Sequence, residues 1–161
     1  MHYTELDTPA LLIDQRIMEE NIDNMQSFAD RNAVRLRPHT KTHKMSSLAK
    51  MQEAAGAKGI TVAKVGEAEV MASEGLSDIF IANEIVGEQK LSRIRAFAED
   101  IDISFGIDSI FQVDEIERVF EGASKKAQVL IEIEVGANWK STAGGNLNDG
   151  KIYLCKLRHC A

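Results

Sequence analysis

Short apolar runs alternate with longer segments of helical spacing along most of this chain, from residue 10 to residue 135. The runs are rich in β-branched residues, and the segments between them repeat apolar residues at helical intervals. Such alternation is typical of βα units, in which helical crossovers join parallel strands. Strand spacings of roughly 20 to 30 residues suit these crossovers in an open sheet or in a barrel. The sequence therefore predicts an α/β fold.

The predicted elements follow one another in a regular series. The run ALLID is a predicted first strand, and further strands are predicted near 34–40, 60–64, 78–82, 101–106 and 128–135. The helices predicted between these strands span 17–32, 45–59, 65–75, 87–100 and 110–126. A closed barrel of eight βα units typically needs about 250 residues. The five strands predicted after the first are too few to close such a barrel. They therefore predict either an open sheet or part of a barrel.

Helical spacing also predicts which side chains face the core. In the first helix the expected inward stripe consists of Ile17, Ile22, Met25 and Phe28. In the fourth helix it consists of Leu91, Ile94, and Phe97 or Ala98. Both stripes predict helices that lie against a sheet.

Composition narrows the class of protein. The 161 residues are 44% hydrophobic and 27% charged, which is ordinary for a globular domain. A net charge of −6 argues against general binding of nucleic acid, which depends on a clustered cationic surface. No run approaches the roughly 20 apolar residues of a membrane span, and the N-terminus does not resemble a leader peptide. The sequence therefore predicts a cytoplasmic protein.

The stretch RLRPHTKTHK, residues 35 to 44, stands out in this acidic chain. If it is a strand, alternation places Arg35, Arg37, His39, Lys41 and His43 on one face. A solvated edge strand would explain such a row, but strands in a βα series are usually covered on both faces.

Two chemical interpretations of the stretch remain. His39 and His43 could bind a metal ion, but Lys41 between them makes a cation there unfavourable. Alternatively, Lys41 reacts through its amine, since burial or neighbouring cations favour the neutral, nucleophilic form of a lysine. Catalytic groups in barrels stand at the carboxyl ends of strands, where Lys41 falls. The stretch could therefore hold an aldehyde cofactor as an imine.

Four motifs carry a resemblance to a known family. They are DTPALLID, RPHTKTHK, VAKVGEAEVMASEG and IFIANEIVG, at 7–14, 37–44, 62–75 and 79–87. In this order they resemble the N-terminal part of the fold-type III pyridoxal-phosphate enzymes, in the branch of D-threonine aldolase and D-serine dehydratase, relatives of alanine racemase. The resemblance spans about residues 5 to 138. It implies a partial (β/α)8 barrel of the alanine racemase N-terminal type.

The resemblance also implies an activity and a set of site residues. The activity would be a pyridoxal-phosphate-dependent lyase acting on β-hydroxy D-amino acids, with Lys41 forming the internal aldimine. Lys44 is the second choice for that role. His39 and Arg37 would lie beside the cofactor, although a salt bridge is an equally good role for Arg37. Asn83 ends a strand at the same face and would contact the cofactor.

Two acidic residues and the metal of the relatives add no further residue to the implied site. Glu67 and Glu69 look like paired carboxylates, but their place at a helix start favours a structural role. Relatives place a divalent metal near the substrate hydroxyl, held by residues far toward the C-terminus. Those positions have no counterpart in this chain, so no metal ligands are predicted here.

The pattern changes after Asn138. Relatives continue with a run like Asn-Arg-Cys-Gly, whereas Trp139, Lys140 and Ser141 follow here. We therefore expect a partial barrel domain at 1–138 and a divergent tail at 139–161, from a truncated or shifted reading frame, with impaired activity. The alternatives are a natural compact protein with a replaced tail, and a non-catalytic fragment or racemase-like relative that only binds the cofactor. An exposed sheet edge would also favour a homodimer.

Overall fold

The computed structural model describes residues 2–132, and the predictions made for the tail lie outside this range. One sheet contains four strands: β1 (Ile60–Val62), β2 (Asp78–Glu84), β3 (Asp102–Ile107) and β4 (Gln128–Ile131). The helices are α1 (Gln15–Arg31), α2 (Ser46–Ala54), α3 (Val65–Ser73), α4 (Glu88–Ala98) and α5 (Ile110–Phe120). Short 3₁₀ turns occupy Tyr3–Glu5 and Thr40–Thr42.

The sheet is parallel and its strands lie in chain order. Each neighbouring pair runs in the same direction, and α3, α4 and α5 connect the strands in turn. This arrangement confirms the predicted α/β fold, and a partial barrel is consistent with it. The core lies where the helices cover the sheet, and Phe105 is its largest fully buried side chain. In α4, Leu91, Ile94 and Ala98 face this core as the spacing predicts.

The prediction for α1 is wrong about its buried face. Ile17, Met25 and Phe28 of the predicted stripe are about half exposed, whereas Gln26 and Ala29 are buried. The Gln26 side chain lies against Gly56, so the helix contacts the chain after α2 through a polar residue. The helix begins at Gln15, two residues before the predicted start, because the Asp14 carboxylate caps it by accepting the Ile17 N–H at 3.0 Å.

The predicted first strand, 10–14, does not form. Its residues have no regular structure, and Leu11 is fully exposed. A strand needs a neighbour for its backbone groups, and none of the described strands pairs with this segment. The apolar pattern alone therefore overestimates the number of strands.

The predicted strand 34–40 is only partly correct. The segment runs parallel to β1, and the Lys58 and Thr61 N–H groups donate to the Leu36 and Pro38 carbonyls at 2.8 and 2.7 Å. Only His39 forms a bridge, to Thr61, before the 3₁₀ turn begins at Thr40. The turn also breaks the alternation, so the predicted row of five basic or titratable groups on one strand face does not exist.

Arg37 is held at the amino end of the sheet. Its guanidinium donates to both carboxylate oxygens of Asp78, at 2.7 and 3.0 Å. It also donates to the carbonyls of Ile60 and Asp78, which are the first residues of β1 and β2. We call this contact the Arg37–Asp78 clasp. It fixes the segment before the 3₁₀ turn to the start of two strands.

Replacing Asp78 with asparagine is expected to lower the free energy of unfolding by about 1 kcal/mol. The reason is that the partly buried Arg37 guanidinium loses its bidentate contact with a carboxylate. The side chains are 33% and 44% exposed, so solvent screening keeps the effect this small. Glu74→Gln is the matched control, since Glu74 meets Lys50 through one contact at 3.3 Å with both side chains half exposed. Its effect should be near zero. Urea denaturation at low and high salt measures both, and equal losses would contradict the role of the clasp.

Candidate functional site

Several polar side chains meet at the carboxyl edge of the sheet. His39 pairs in parallel with Thr61 of β1, and Lys41 follows two residues later in the 3₁₀ turn. Asn83 is the last residue but one of the neighbouring strand β2, and Asp108 follows β3. In sheets of parallel strands this edge is where ligands usually bind. The edge is therefore the candidate functional site of the described chain.

Lys41 occupies the 3₁₀ turn with its side chain exposed. Its backbone N–H donates to His39 Nδ1 at 3.2 Å. In residues 2–132 no carboxylate lies within ion-pair distance of the Lys41 amine, whereas Arg37 and Lys44 each have one. The amine is thus presented at the edge without a bound counter-ion from this part of the chain.

His39 lies beside Lys41 as a neutral ring. Burial, and next the charge of Lys41, lower the pKa of His39 below its usual value. A neutral imidazole has one acceptor nitrogen, which agrees with Nδ1 accepting the Lys41 N–H. His39 therefore shapes the turn that presents Lys41 and adds no second positive charge at neutral pH.

His43 repeats this local geometry. Its Nδ1 accepts the Met45 N–H at 3.0 Å, again two residues along the chain, and burial lowers the pKa of the ring. The histidines therefore have a structural role in closing successive turns, which the sequence analysis did not consider. Within residues 2–132 no group of three or more His, Cys, Asp or Glu side chains is arranged to hold a metal ion.

Glu67 connects this turn to α3. One carboxylate oxygen accepts the Ala63 N–H at 2.8 Å, and the other meets Lys44 Nζ at 3.1 Å. Asn83 Nδ2 donates to the carbonyl of the same Ala63 at 3.4 Å. Burial alone would raise the pKa of Glu67, but the Ala63 N–H and the Lys44 ammonium outweigh it and lower this pKa. The carboxylate is therefore ionised and fixed in place.

Glu69 points elsewhere, to Arg93 of α4, so Glu67 and Glu69 do not form a paired carboxylate site. The structural roles predicted for both acids agree with these contacts. The partnership of Glu67 with Lys44 was missed, because residues 23 positions apart leave no local pattern in a sequence.

The other half of the edge is acidic. Burial, and next the charge of Glu84, raise the pKa of Asp108. The Asp108 N–H donates to Gln112 Oε1 at 2.8 Å, which ties the end of β3 to the start of α5. The edge is therefore divided into a lysine-rich part near β1 and a carboxylate part near β2 and β3.

The structure does not bring all four predicted site residues together. Lys41, His39 and Asn83 lie at the carboxyl edge, whereas Arg37 is engaged in the Arg37–Asp78 clasp at the amino end. The salt-bridging role considered for Arg37 is the one its contacts show.

The chain belongs to the alanine racemase N-terminal domain family, whose model matches residues 13–147. A D-threonine aldolase of Arthrobacter sp is 39% identical over 131 residues, or 81% of this chain and 35% of the relative. A D-threo-3-hydroxyaspartate dehydratase of Delftia sp. (strain HT23) is 36% identical over 129 residues, or 80% of this chain and 34% of the relative. The chain therefore spans about a third of the length of these relatives.

Solved structures give the same result for the fold. The D-threonine aldolase from Filomicrobium marinum superposes with a TM-score of 0.82 at 37% identity, over 85% of this chain and 37% of that one. An alanine racemase-like protein from Idiomarina loihiensis gives 0.72 at 28% identity, over 81% of this chain and 35% of that one. In the described part of the chain, no helix is both long enough and apolar enough to cross a membrane.

Proposed function

We propose that this chain provides the cofactor-binding part of a pyridoxal-phosphate-dependent lyase for β-hydroxy D-amino acids, with Lys41 as the residue that carries the cofactor. The observation that carries the proposal is the Lys41 amine, exposed at the carboxyl edge and without a carboxylate partner in residues 2–132. The curated relatives, a D-threonine aldolase and a D-threo-3-hydroxyaspartate dehydratase, support the substrate class.

The residues at the edge fit pyridoxal phosphate. An aldehyde needs an amine within reach, and Lys41 supplies one. A phosphate needs positive charge, and Lys44 and Lys64 lie at the same edge, close enough that both act on the ionisation of Glu67. Asn83 offers an amide nearby. These side chains would hold the group by a covalent bond and by charge.

When bound, pyridoxal phosphate supplies an electron sink that lets a bond at the Cα of an amino acid break. The residues of this chain then have separate tasks. Lys41 Nζ binds and orients the reactive group, and His39 fixes the turn by accepting the Lys41 N–H. The Glu67 carboxylate holds Ala63 and Lys44 in place. Arg37 acts at the other end of the sheet, where it braces the segment that carries the turn.

Mixing the full chain with pyridoxal phosphate, reducing with borohydride and mapping the labelled peptide tests the attachment. The expected label is on Lys41, and a map without label on Lys41 would refute the assignment. In separate samples that are not reduced, D-threonine or D-serine is added to the protein and pyridoxal phosphate with magnesium or manganese chloride. Glycine from D-threonine would indicate aldol cleavage, and pyruvate from D-serine would indicate dehydration.

A second candidate is a module that binds the cofactor without turnover. It requires only the cofactor contacts available at the edge, namely the Lys41 amine and the lysines near Glu67. Label on Lys41 with neither glycine nor pyruvate would support it. A cytoplasmic location and a homodimer stay predictions, the latter tested by light scattering with and without pyridoxal phosphate.

A further inference from the structure

Lys41 and Lys44 are both candidates for the amine that reacts with an aldehyde cofactor in this site. Lys41 and Lys44 are separated by one turn of chain at the carboxyl edge, and both side chains are largely exposed. Their amines have the same intrinsic chemistry. Some feature of the fold must therefore decide which one reacts with an aldehyde.

The contacts of the two amines differ. Lys44 Nζ lies 3.1 Å from Glu67 Oε1, and the Glu67 side chain is only 11% exposed. Because Glu67 Oε2 is held by the Ala63 N–H at 2.8 Å, the carboxylate cannot follow Lys41 without giving up that bond. Lys41 has no such partner in residues 2–132.

The backbone supports the same division. Lys44 has a φ of 53°, in the left-handed region that residues other than glycine rarely adopt. Its N–H donates to the Thr40 carbonyl at 2.7 Å, which closes the turn on itself. With its backbone fixed in this way, Lys44 has its amine against Glu67.

We propose that Glu67 is a positioning residue that selects Lys41 over Lys44 for attachment of the aldehyde cofactor, a role that rests on the function proposed above. An amine adds to the aldehyde carbon through its nitrogen lone pair, and one water molecule leaves as the C=N bond forms. Either amine must first lose its proton, but Lys44 Nζ must in addition leave Glu67 Oε1, 3.1 Å away, before it can approach the aldehyde carbon. Glu67 therefore holds the Lys44 amine in place, away from the aldehyde.

Glu67→Gln tests this role, because glutamine keeps an oxygen for the Ala63 N–H but loses the charge that holds Lys44. Glu69→Gln is the matched control: it is the same change two positions along α3, and it breaks an ion pair with Arg93 rather than with a site lysine. Each full-length variant is treated with limiting acetic anhydride, and separately with pyridoxal phosphate and borohydride. Peptide mapping then gives the ratio of label on Lys44 to label on Lys41.

In Glu67→Gln both ratios should rise about two- to fivefold, as expected for losing one partly exposed ion pair. Glu69→Gln should leave both ratios at the wild-type value. Glu67→Asp, a second variant, keeps the charge on a shorter side chain and should give intermediate ratios. Circular dichroism of each variant checks that the fold is retained.

The acetylation assay and the pyridoxal phosphate assay together distinguish failure of the selection by Glu67 from failure of the proposed function. Unchanged ratios in Glu67→Gln, with Lys41 still labelled by pyridoxal phosphate, would overturn the selection by Glu67 and leave the proposed function intact. A raised acetylation ratio with no pyridoxal phosphate on either lysine would overturn the proposed function, and the selection with it. An equal rise in Glu69→Gln would show a general loosening of α3 and would also overturn the selection.

Discussion

Replacing Lys41 with arginine is expected to abolish the borohydride-stable attachment of pyridoxal phosphate. Arginine keeps the positive charge, but its delocalised guanidinium does not act as the amine that an aldehyde needs. The variant therefore removes the covalent bond and leaves the attraction for phosphate. We expect the labelled fraction to fall at least about tenfold, because a reagent bound only by charge lacks the oriented contact that favours reaction.

Lys44→Arg is the control for this result, since it makes the same change three positions along the chain and can still pair with Glu67. Its labelling should stay close to that of the wild type. Equal loss in both variants would mean that the site recognises charge alone, and undiminished label in Lys41→Arg would place the attachment elsewhere. The measurement is the mass of the labelled peptide containing residues 35–50 after reduction.

The sequence was sufficient for the parts of the fold that depend on short-range patterns. Leu91 and Ile94 lie one turn apart on a helix between two adjacent strands, so the helical period alone locates the face that is buried. The stripe of α1 has the same kind of period, yet Met25 and Phe28 are exposed in the described structure. Whether the apolar stripe of α1 is buried depends on which part of the protein packs against that helix. The helical period of the sequence does not contain this information.

In residues 35–44, too, the local sequence pattern predicts only part of the structure. The alternation correctly indicates an extended chain beside β1, and it places Lys41 at the carboxyl edge. The turn that begins at Thr40 follows from side-chain bonds that propensities do not contain: His39 Nδ1 accepts the Lys41 N–H, and Thr40 Oγ1 donates to the Thr61 carbonyl at 3.2 Å. For the same reason the partners of Arg37 and Lys44 required the folded structure.

Gly59→Ala is expected to cause the largest loss of stability among the substitutions considered, about 3 kcal/mol. Gly59 has a φ of 74°, where any other residue is strained. A Cβ there would lie 2.5 Å from Arg37 Nη1 and 2.6 Å from Asp78 Cγ, and closer still to the Asp78 carbonyl oxygen. The new methyl group would therefore push into the Arg37–Asp78 clasp and into the backbone at the start of β2.

Gly75→Ala separates strain from crowding. Gly75 also has a positive φ, 93°, but a Cβ there would have nothing within 4 Å. Its loss should be limited to the conformational cost, about 1–2 kcal/mol. If crowding of the clasp accounts for the difference, Gly59→Ala and Asp78→Asn must be non-additive in a double-mutant cycle, because the first change already disturbs the contact that the second removes. Additive losses in urea denaturation would mean that Gly59 is needed for its backbone conformation alone.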